Sequence, residues 1–363
     1  MKTTTNSLLT LALQKFKTNT TGVFSFWFII LCGLIAVFAY LLAPDNSSNA
    51  NQMHLEIHSK KPGFEVLMLS IPPKELKAQS FLNKLFYGSK NQDTEIPISD
   101  YSIFENKLII ESYSEDTSER LQKSFPISLF TEQISTYIQT KKFYLGTDKY
   151  GRDLLSRMLV GTRISFFIGF IAVFISLVIG ISIGAIAGYF GGKTDAFIMW
   201  LINITWSIPT LLLVIAITLA LGKGYWQVFI AVGLTMWVEV ARVVRGQLMS
   251  AKEMQYVEAA KALGFSNFRI IFRHILPNIM APVIVISAAN FAGAILIESG
   301  LSFLGIGAQP PTPSWGAMIK DHYSYIILGK AYLAIIPGLA IMSLVMAFML
   351  IGNALRDALD VKN

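Results

Sequence analysis

Long apolar runs separated by short polar loops dominate the chain. A bilayer core of about 30 Å takes roughly 20 apolar residues in a helix. Six segments are long enough: 23–43, 164–190, 196–221, 226–244, 281–304 and 332–352. Lys15 and Lys17 precede the first, as they would in a secretory leader. Its apolar run of about 21 residues outlasts a leader's, so a retained helix is expected. Residues 45–145 follow a different pattern. Met53–His58 alternates apolar and polar, as a half-buried strand does. Phe64–Ser70 and Lys107–Tyr113 read as further strands, with Pro72-Pro73 breaking the chain between them. Ser118–Lys123 and Thr131–Lys141 read as short helices. The expected fold is therefore an all-α polytopic membrane protein with six transmembrane helices and a small α+β insert. Its parts are 1–44 (N-terminus and first span), 45–145 (insert) and 146–363 (a five-helix core).

Composition sharpens this division. Only 15% of the 363 residues are charged, against about 25% in a soluble domain. Of the 53 charged residues the insert holds 24, so the remainder is left at +9. Basic residues in short loops set membrane orientation. With the N-terminus in the cytoplasm, that side collects twelve: Lys2, Lys15, Lys17, Lys193, Arg242, Arg245, Lys252, Lys261, Arg269, Arg273, Arg356 and Lys362. The short outer loops collect Lys223, Lys320 and Lys330. Both termini are thus expected inside and the insert outside. This positive balance belongs to loops beside lipid, so no nucleic-acid partner is inferred. The one cysteine, Cys32, excludes an intramolecular disulfide and a Cys-rich metal site.

Signatures of catalysis are nearly absent. The chain has no phosphate-cradling Gly-x-x-x-x-Gly-Lys-Ser/Thr loop, no His-Glu-x-x-His and no Gly-x-Ser-x-Gly. Without that loop, energy for active work would come from a partner that binds the ATP, and no cofactor is assigned to this chain. His54, Glu56 and His58 would share one strand face, but no fourth ligand is evident and a solvated face accounts for them.

The loop 245–280 is more informative. Ser250 and Glu253 have capping-box spacing, which predicts a helix from Ala251 to Leu263 that stops at Gly264. Ser266 is placed to cap a second helix, 267–276, ended by Pro277. Within it, Glu258-Ala259-Ala260 offers a shallow patch with one orienting charge, followed by Gly264 and Leu276-Pro277. This pattern, placed between two spans, resembles the coupling loop of membrane subunits of bacterial ABC importers. The resemblance implies that Glu258, Ala259, Ala260, Gly264, Leu276 and Pro277 meet a groove on an ATPase subunit. His274 stands where the family usually has isoleucine.

Two longer stretches narrow the family. They are Leu145-Gly146-Thr147-Asp148-Lys149-Tyr150-Gly151-Arg152-Asp153, continuing to Ser165, and Glu298-Ser299-Gly300-Leu301-Ser302-Phe303-Leu304-Gly305 with Pro310–Gly316. Both are similar to signatures of the dipeptide/oligopeptide/nickel permease family, specifically its C-type second membrane subunit. Arg356–Asp360 is similar to that subunit's ending, although Met349 and Asn353 depart from it. The resemblance implies the type I importer fold in a bacterial inner membrane. It also implies a homologous second permease, two ATP-binding subunits and an extracytoplasmic substrate-binding protein. The insert departs from the family, which usually has a much shorter segment there.

Within the spans, Gly180, Gly184 and Gly188 form a small-residue face suited to close helix packing. Glu239 and Arg242 are spaced to pair, and Pro209 and Pro337 interrupt apolar runs. Glu298 stands in an apolar span, either lining a translocation route or holding the helix to a neighbour. Trp200, Trp206 and Trp237 read as lipid-facing or core groups. The resulting reading is a peptide-import permease subunit. Nickel or another small solute remains an alternative cargo, and a membrane-anchored receptor or enzyme working through 45–145 remains the rival class.

Overall fold

The computed structural model describes residues 8–73, 78–90, 92–116, 118, 120–222 and 224–359. Lys2, Lys223, Asp360 and Lys362, which enter the charge and motif arguments, lie outside them. In chain order, α1 (Leu8–Thr18) and α2 (Thr20–Leu42) precede the insert. The insert contains β1 (Phe64–Ile71), α3 (Phe81–Tyr87), β2 (Thr94–Phe104), β3 (Lys107–Ser112), β4 (Gln122–Pro126), α4 (Ile134–Tyr137) and β5 (Ile138–Phe143). Next come α5 (Leu154–Phe190), α6 (Gly192–Ser207), α7 (Thr210–Leu221), α8 (Tyr225–Lys252) and α9 (Gln255–Ala262). Last are α10 (Asn267–Arg269), α11 (Met280–Leu304), α12 (Trp315–His322) and α13 (Tyr332–Leu359).

Among the described residues, five helical stretches are long and apolar enough to cross a membrane: α2, α5, α8, Asn267–Leu304 and α13. The pair α6 and α7 supplies a sixth, bent by 92°. Pro209 causes the break: its ring forces Ile208 into an extended conformation and it has no N–H to donate. By contrast, α13 runs on through Pro337.

Two compact units are present, one formed by 1–33, 165–309 and 339–363, the other by 34–164 and 310–338. In the first, α5 packs on α8 through the glycine face. A Cβ at Gly180 would meet the Trp237 carbonyl at 2.8 Å, and one at Gly188 the Arg245 carbonyl at 2.8 Å. Such contact is open only to residues without side chains, so the glycines set the helix spacing. Asp195 binds Arg245 through two bonds of 2.5 and 2.6 Å, fastening α6 to α8. Arg242 does not close on Glu239 as its spacing suggested. Its guanidinium lies 3.7 Å from the centre of the Trp206 ring and donates to Asn203 at 3.2 Å, so the last turns of α6 capture it.

The second unit carries a five-stranded antiparallel sheet of order β4-β3-β2-β1-β5. Alternation along β1 sends Leu69 to a core with Ile98, Leu108, Ile110, Phe130 and Ile138. Val66 and Met68 point the other way, toward Ile57 and Phe143. Three sequence expectations fail here. Met53–His58 is not a strand: Leu55–Ile57 forms a 3₁₀ turn with Ile57 buried and Leu55 exposed. His54 is buried beside Glu95 at 3.6 Å while Glu56 and His58 are exposed, so the three share no strand face. Ser118–Lys123 is not a helix, since Gln122 already begins β4 opposite Glu111. Of Thr131–Lys141 only Ile134–Tyr137 is helical, and β5 takes the rest through pairing with β1.

The Gly-Thr-Asp stretch joins the sheet to α5 by a buried charge hub. Asp148 accepts from the backbone N–H of Tyr150 at 2.8 Å and of Arg152 at 3.0 Å. Its other oxygen binds Arg152 through Nε and Nη2, each at 2.7 Å, and lies 3.6 Å from Arg157. Arg152 donates onward to Asn51 at 2.9 Å, and Arg157 to the Ala50 carbonyl at 3.4 Å. Gly151 is obligatory in this turn: with φ +72 it lies against the His54 backbone, where a Cβ has no room.

His322 closes the hub from α12. Its Nδ1–H donates to the Met318 carbonyl at 2.8 Å, and Nε2 accepts the Lys149 N–H at 3.3 Å. Lys149 also pairs with Asp321 at 3.1 Å. Burial holds the imidazole below its ordinary value of 6.5. A depressed value means that the native state binds fewer protons than the unfolded chain. The stability is therefore complete above about pH 6.5 and is lost as pH falls through the lower native value. Hydrogen exchange of the Lys149 amide, corrected for intrinsic rate, is expected to quicken as the pH falls below about 6.5. A His322→Gln chain should lose that dependence.

Candidate functional site

After α8 the chain folds back as a helical hairpin within the first unit. Ser250 does not cap a new helix, because α8 continues to Lys252 and the Ser250 hydroxyl bonds back to the Gly246 carbonyl. The expected helix from Ala251 is therefore broken at Glu253-Met254, and α9 begins at Gln255. It ends as the sequence indicates: the N–H of Gly264 reaches the Lys261 carbonyl at 2.9 Å, and that of Phe265 the Ala260 carbonyl at 3.2 Å. This paired closure needs the left-handed φ of +74 at Gly264. Ser266 caps the next turn by accepting from the Arg269 N–H at 3.4 Å. Pro277 does not stop that helix, because a π turn (Ile270–Ile275) and a 3₁₀ turn (Leu276–Ile279) lead directly into α11. Proline fits there because it occupies the first turn of a new segment, where its missing N–H is not needed.

The hairpin has two distinct faces. Val257 and Ala260 are buried with Val244, Leu248, Ala251, Ile270, Ile271, Ile275, Leu276 and Val283. Ala259 and Ala260 thus do not form a single surface patch: Ala259 is exposed with Glu258, Lys261, Ala262 and Gly264, while Ala260 packs inward. Leu276 is also inside, and Pro277 is exposed. Leu263 and Phe268 are 72% and 70% exposed, and Met254 and Phe272 are also outward. The outward side of the hairpin thus carries exposed apolar side chains beside Glu258 and Ala259 in sequence. Sequence reasoning did not find Leu263 or Phe268, whose exposure depends on the sharp reversal at Gly264. Arg269 stands over Phe265 at 4.2 Å, and His274 stacks on the same ring at 5.5 Å between centroids. His274 thereby acquires a packing role in place of the usual isoleucine. Tyr189 donates to Asn267 at 2.8 Å, tying the end of α5 to the hairpin.

A family model for the "binding-protein-dependent transport system inner membrane component" matches residues 180–362, just over half of the chain and all of the hairpin. The chain belongs to this permease family. A second model, the N-terminal TM domain of oligopeptide transport permease C, matches residues 7–62. The permease is 41% identical over 219 residues to the glutathione transport system permease protein GsiD of Pectobacterium atrosepticum, which covers 60% of this chain and 72% of the relative. It is 44% identical over 220 residues to the dipeptide transport system permease protein DppC of Haemophilus influenzae, covering 61% and 74%. It is 42% identical over 220 residues to the oligopeptide transport system permease protein OppC of the same organism, covering 61% and 70%. The permease is therefore a multi-pass inner-membrane protein of a binding-protein-dependent system. Between the two family matches lie residues 63–179, which contain the entire sheet.

Glu298, the remaining candidate, lies on α11 and is 1% exposed. Ser302, one turn later, donates to it at 2.7 Å and in turn accepts the Ala308 N–H at 3.2 Å. These contacts fix the carboxylate against the turn that ends α11.

Proposed function

We propose that this permease is one membrane subunit of an ATP-driven importer of di- and oligopeptides. The supporting observation is the hairpin, which presents Glu258, Ala259 and Leu263 outward while Val257 and Ala260 share a core with α8 and α11. A partner ATPase holding the outward face would move the two spans with it, because the inward face is continuous with their packing. Close-packed interiors transmit displacement rather than absorb it. Two ATP-binding subunits would do the hydrolysis. A homologous second permease would complete the pathway, and a substrate-binding protein would deliver cargo at the insert side. The hairpin and both termini would lie in the cytoplasm, following the basic-residue bias. Alternating access would be rigid-body rocking driven from outside the bilayer.

Peptides are the cargo that the relatives' names support. Deleting the gene for this chain should abolish uptake of radiolabelled di- and tripeptides by intact cells, and a plasmid copy should restore it. Unlabelled peptides should compete and free amino acids should not. Unaltered peptide uptake in the deletion strain would overturn the assignment.

A further inference from the structure

The insert displays an apolar helix at an unusual place. Helix α3 buries Leu85 but leaves Phe81, Leu82, Phe86 and Tyr87 between 45% and 66% exposed. A short helix of an ordinary water-facing domain turns such side chains inward. The loop carrying it is closely held. Gln79 donates to the Gly88 carbonyl at 2.7 Å and accepts the Lys90 N–H at 3.0 Å, while Ser89 N–H reaches the Asn46 carbonyl at 2.8 Å.

Its location is set by residues of two spans. Arg163, on α5 just before the apolar run, donates to the Phe86 carbonyl at 2.8 Å. The same guanidinium lies 5.2 Å from the ring centre of Tyr40, near the end of α2, and 5.7 Å from that of Phe86. Next to Tyr40, Leu41 and Leu42 are exposed, as expected of a span surface turned to lipid. The apolar face of α3 is therefore fixed at the level where α2 leaves the hydrocarbon and α5 enters it. Lys84 and Lys90 are exposed on the same short loop, where they can meet phosphate groups. Aromatic rings with flanking lysines are the chemistry of the membrane–water interface.

We propose that α3 is seated in the headgroup layer, with Phe81, Leu82, Phe86 and Tyr87 in lipid, and anchors the insert to the membrane surface. This inference rests on the membrane spans alone, so a failure of peptide transport would leave it standing. The occupant of the apolar face is the bilayer rather than another protein because Arg163 holds α3 at the level of Tyr40, whose neighbours Leu41 and Leu42 are exposed apolar residues of a span.

The test uses the full chain with Cys32→Ser, reconstituted in vesicles of phosphatidylethanolamine and phosphatidylglycerol. Leu82→Cys, Tyr87→Cys and Lys123→Cys are each labelled with an environment-sensitive fluorophore. Lys123 is exposed on β4, at the sheet edge opposite β5, and serves as the aqueous reference. Lipids with a nitroxide near the glycerol should quench the labels at 82 and 87 at least about twofold and spare the label at 123. Aqueous iodide should show the reverse order. Iodide quenching at 82 and 87 equal to that at 123 would place the helix in water. Labels at 82 and 87 shielded from both quenchers would place it against a protein. Either result would overturn the proposal, and agreement of the two α3 positions guards against distortion by a single label.

Discussion

Replacing Asp148 with alanine is expected to destabilise the junction between the insert and α5 by about 3–5 kcal/mol. The Asp148 side chain is fully buried, and those of Arg152 and Arg157 are only 4% and 6% exposed. Removing the carboxylate takes the directly paired countercharge from two enclosed guanidinium groups and orphans the N–H groups of Tyr150 and Arg152. Neither group can regain water without opening the turn, so the cost far exceeds that of losing a surface pair. The affected contacts are those to Asn51 and Ala50, which fasten the base of the insert. The main core of the sheet is built from other residues, Leu69 through Ile138, and should persist. Limited proteolysis should therefore cut near 49–61 and 146–153 first, and thermal unfolding of that region should shift down. Asp148→Asn should fall between, since it can still accept both backbone bonds but carries no charge. Arg356→Ala, which removes an exposed pair with Asp357, should leave melting unchanged. An Asp148→Ala chain that melted with the wild type would show that the hub carries no net stability.

This hub also marks how far the sequence could be read. Each span announced itself because about 20 apolar residues in a row have no other common use. Pro209 and the glycine face were legible for equally local reasons, since a missing N–H and a missing Cβ act on the nearest turn. The strands β1 and β3 were legible from alternation, but β2 was not. Pro97 lies within it and a register shift occurs between Ile98 and Asp100, both of which disguise a strand whose partners come from elsewhere in the chain. Met53–His58 misled for the same reason. Its pattern suits a strand, but the His54 N–H donates to the Tyr150 carbonyl, those of Ile57 and His58 turn back to the His54 and Leu55 carbonyls, and no strand among the described residues pairs with it. The Asp148 motif was visible as a string of residues, but its work as a clamp required knowing that Asn51 and His322 converge on it. In the candidate site, Gly264 and Ser266 were predictable from local backbone rules. The inward turn of Ala260 was not, because it depends on the break at Glu253-Met254 that resets the helix phase.

That phase gives the largest expected functional effect. Ala259→Arg and Leu263→Glu both alter exposed positions, so α9 and its core should survive. Ala259→Arg places a long side chain where only a methyl group stands, and Leu263→Glu puts a charge in place of an exposed apolar side chain. Together they should lower recovery of ATPase with the affinity-tagged chain from gently solubilised membranes by at least about tenfold, equivalent to about 1.4 kcal/mol of lost contact. Recovery of the second permease should be unchanged, and ATP-driven peptide uptake should fall with the ATPase. Glu258→Arg with Gly264→Asp should act in the same direction, but partly through the backbone, because an added Cβ at φ +74 strains the turn. Ala260→Arg is the informative contrast. It drives a charge into the core of Val244, Leu248 and Ile271 and should reduce the amount of folded chain, not merely its partner. Normal ATPase recovery and uptake in the Ala259→Arg, Leu263→Glu chain would remove this face from the coupling path. Loss of the ATPase with folded membrane subunits intact would place the power input of the importer on these few outward atoms.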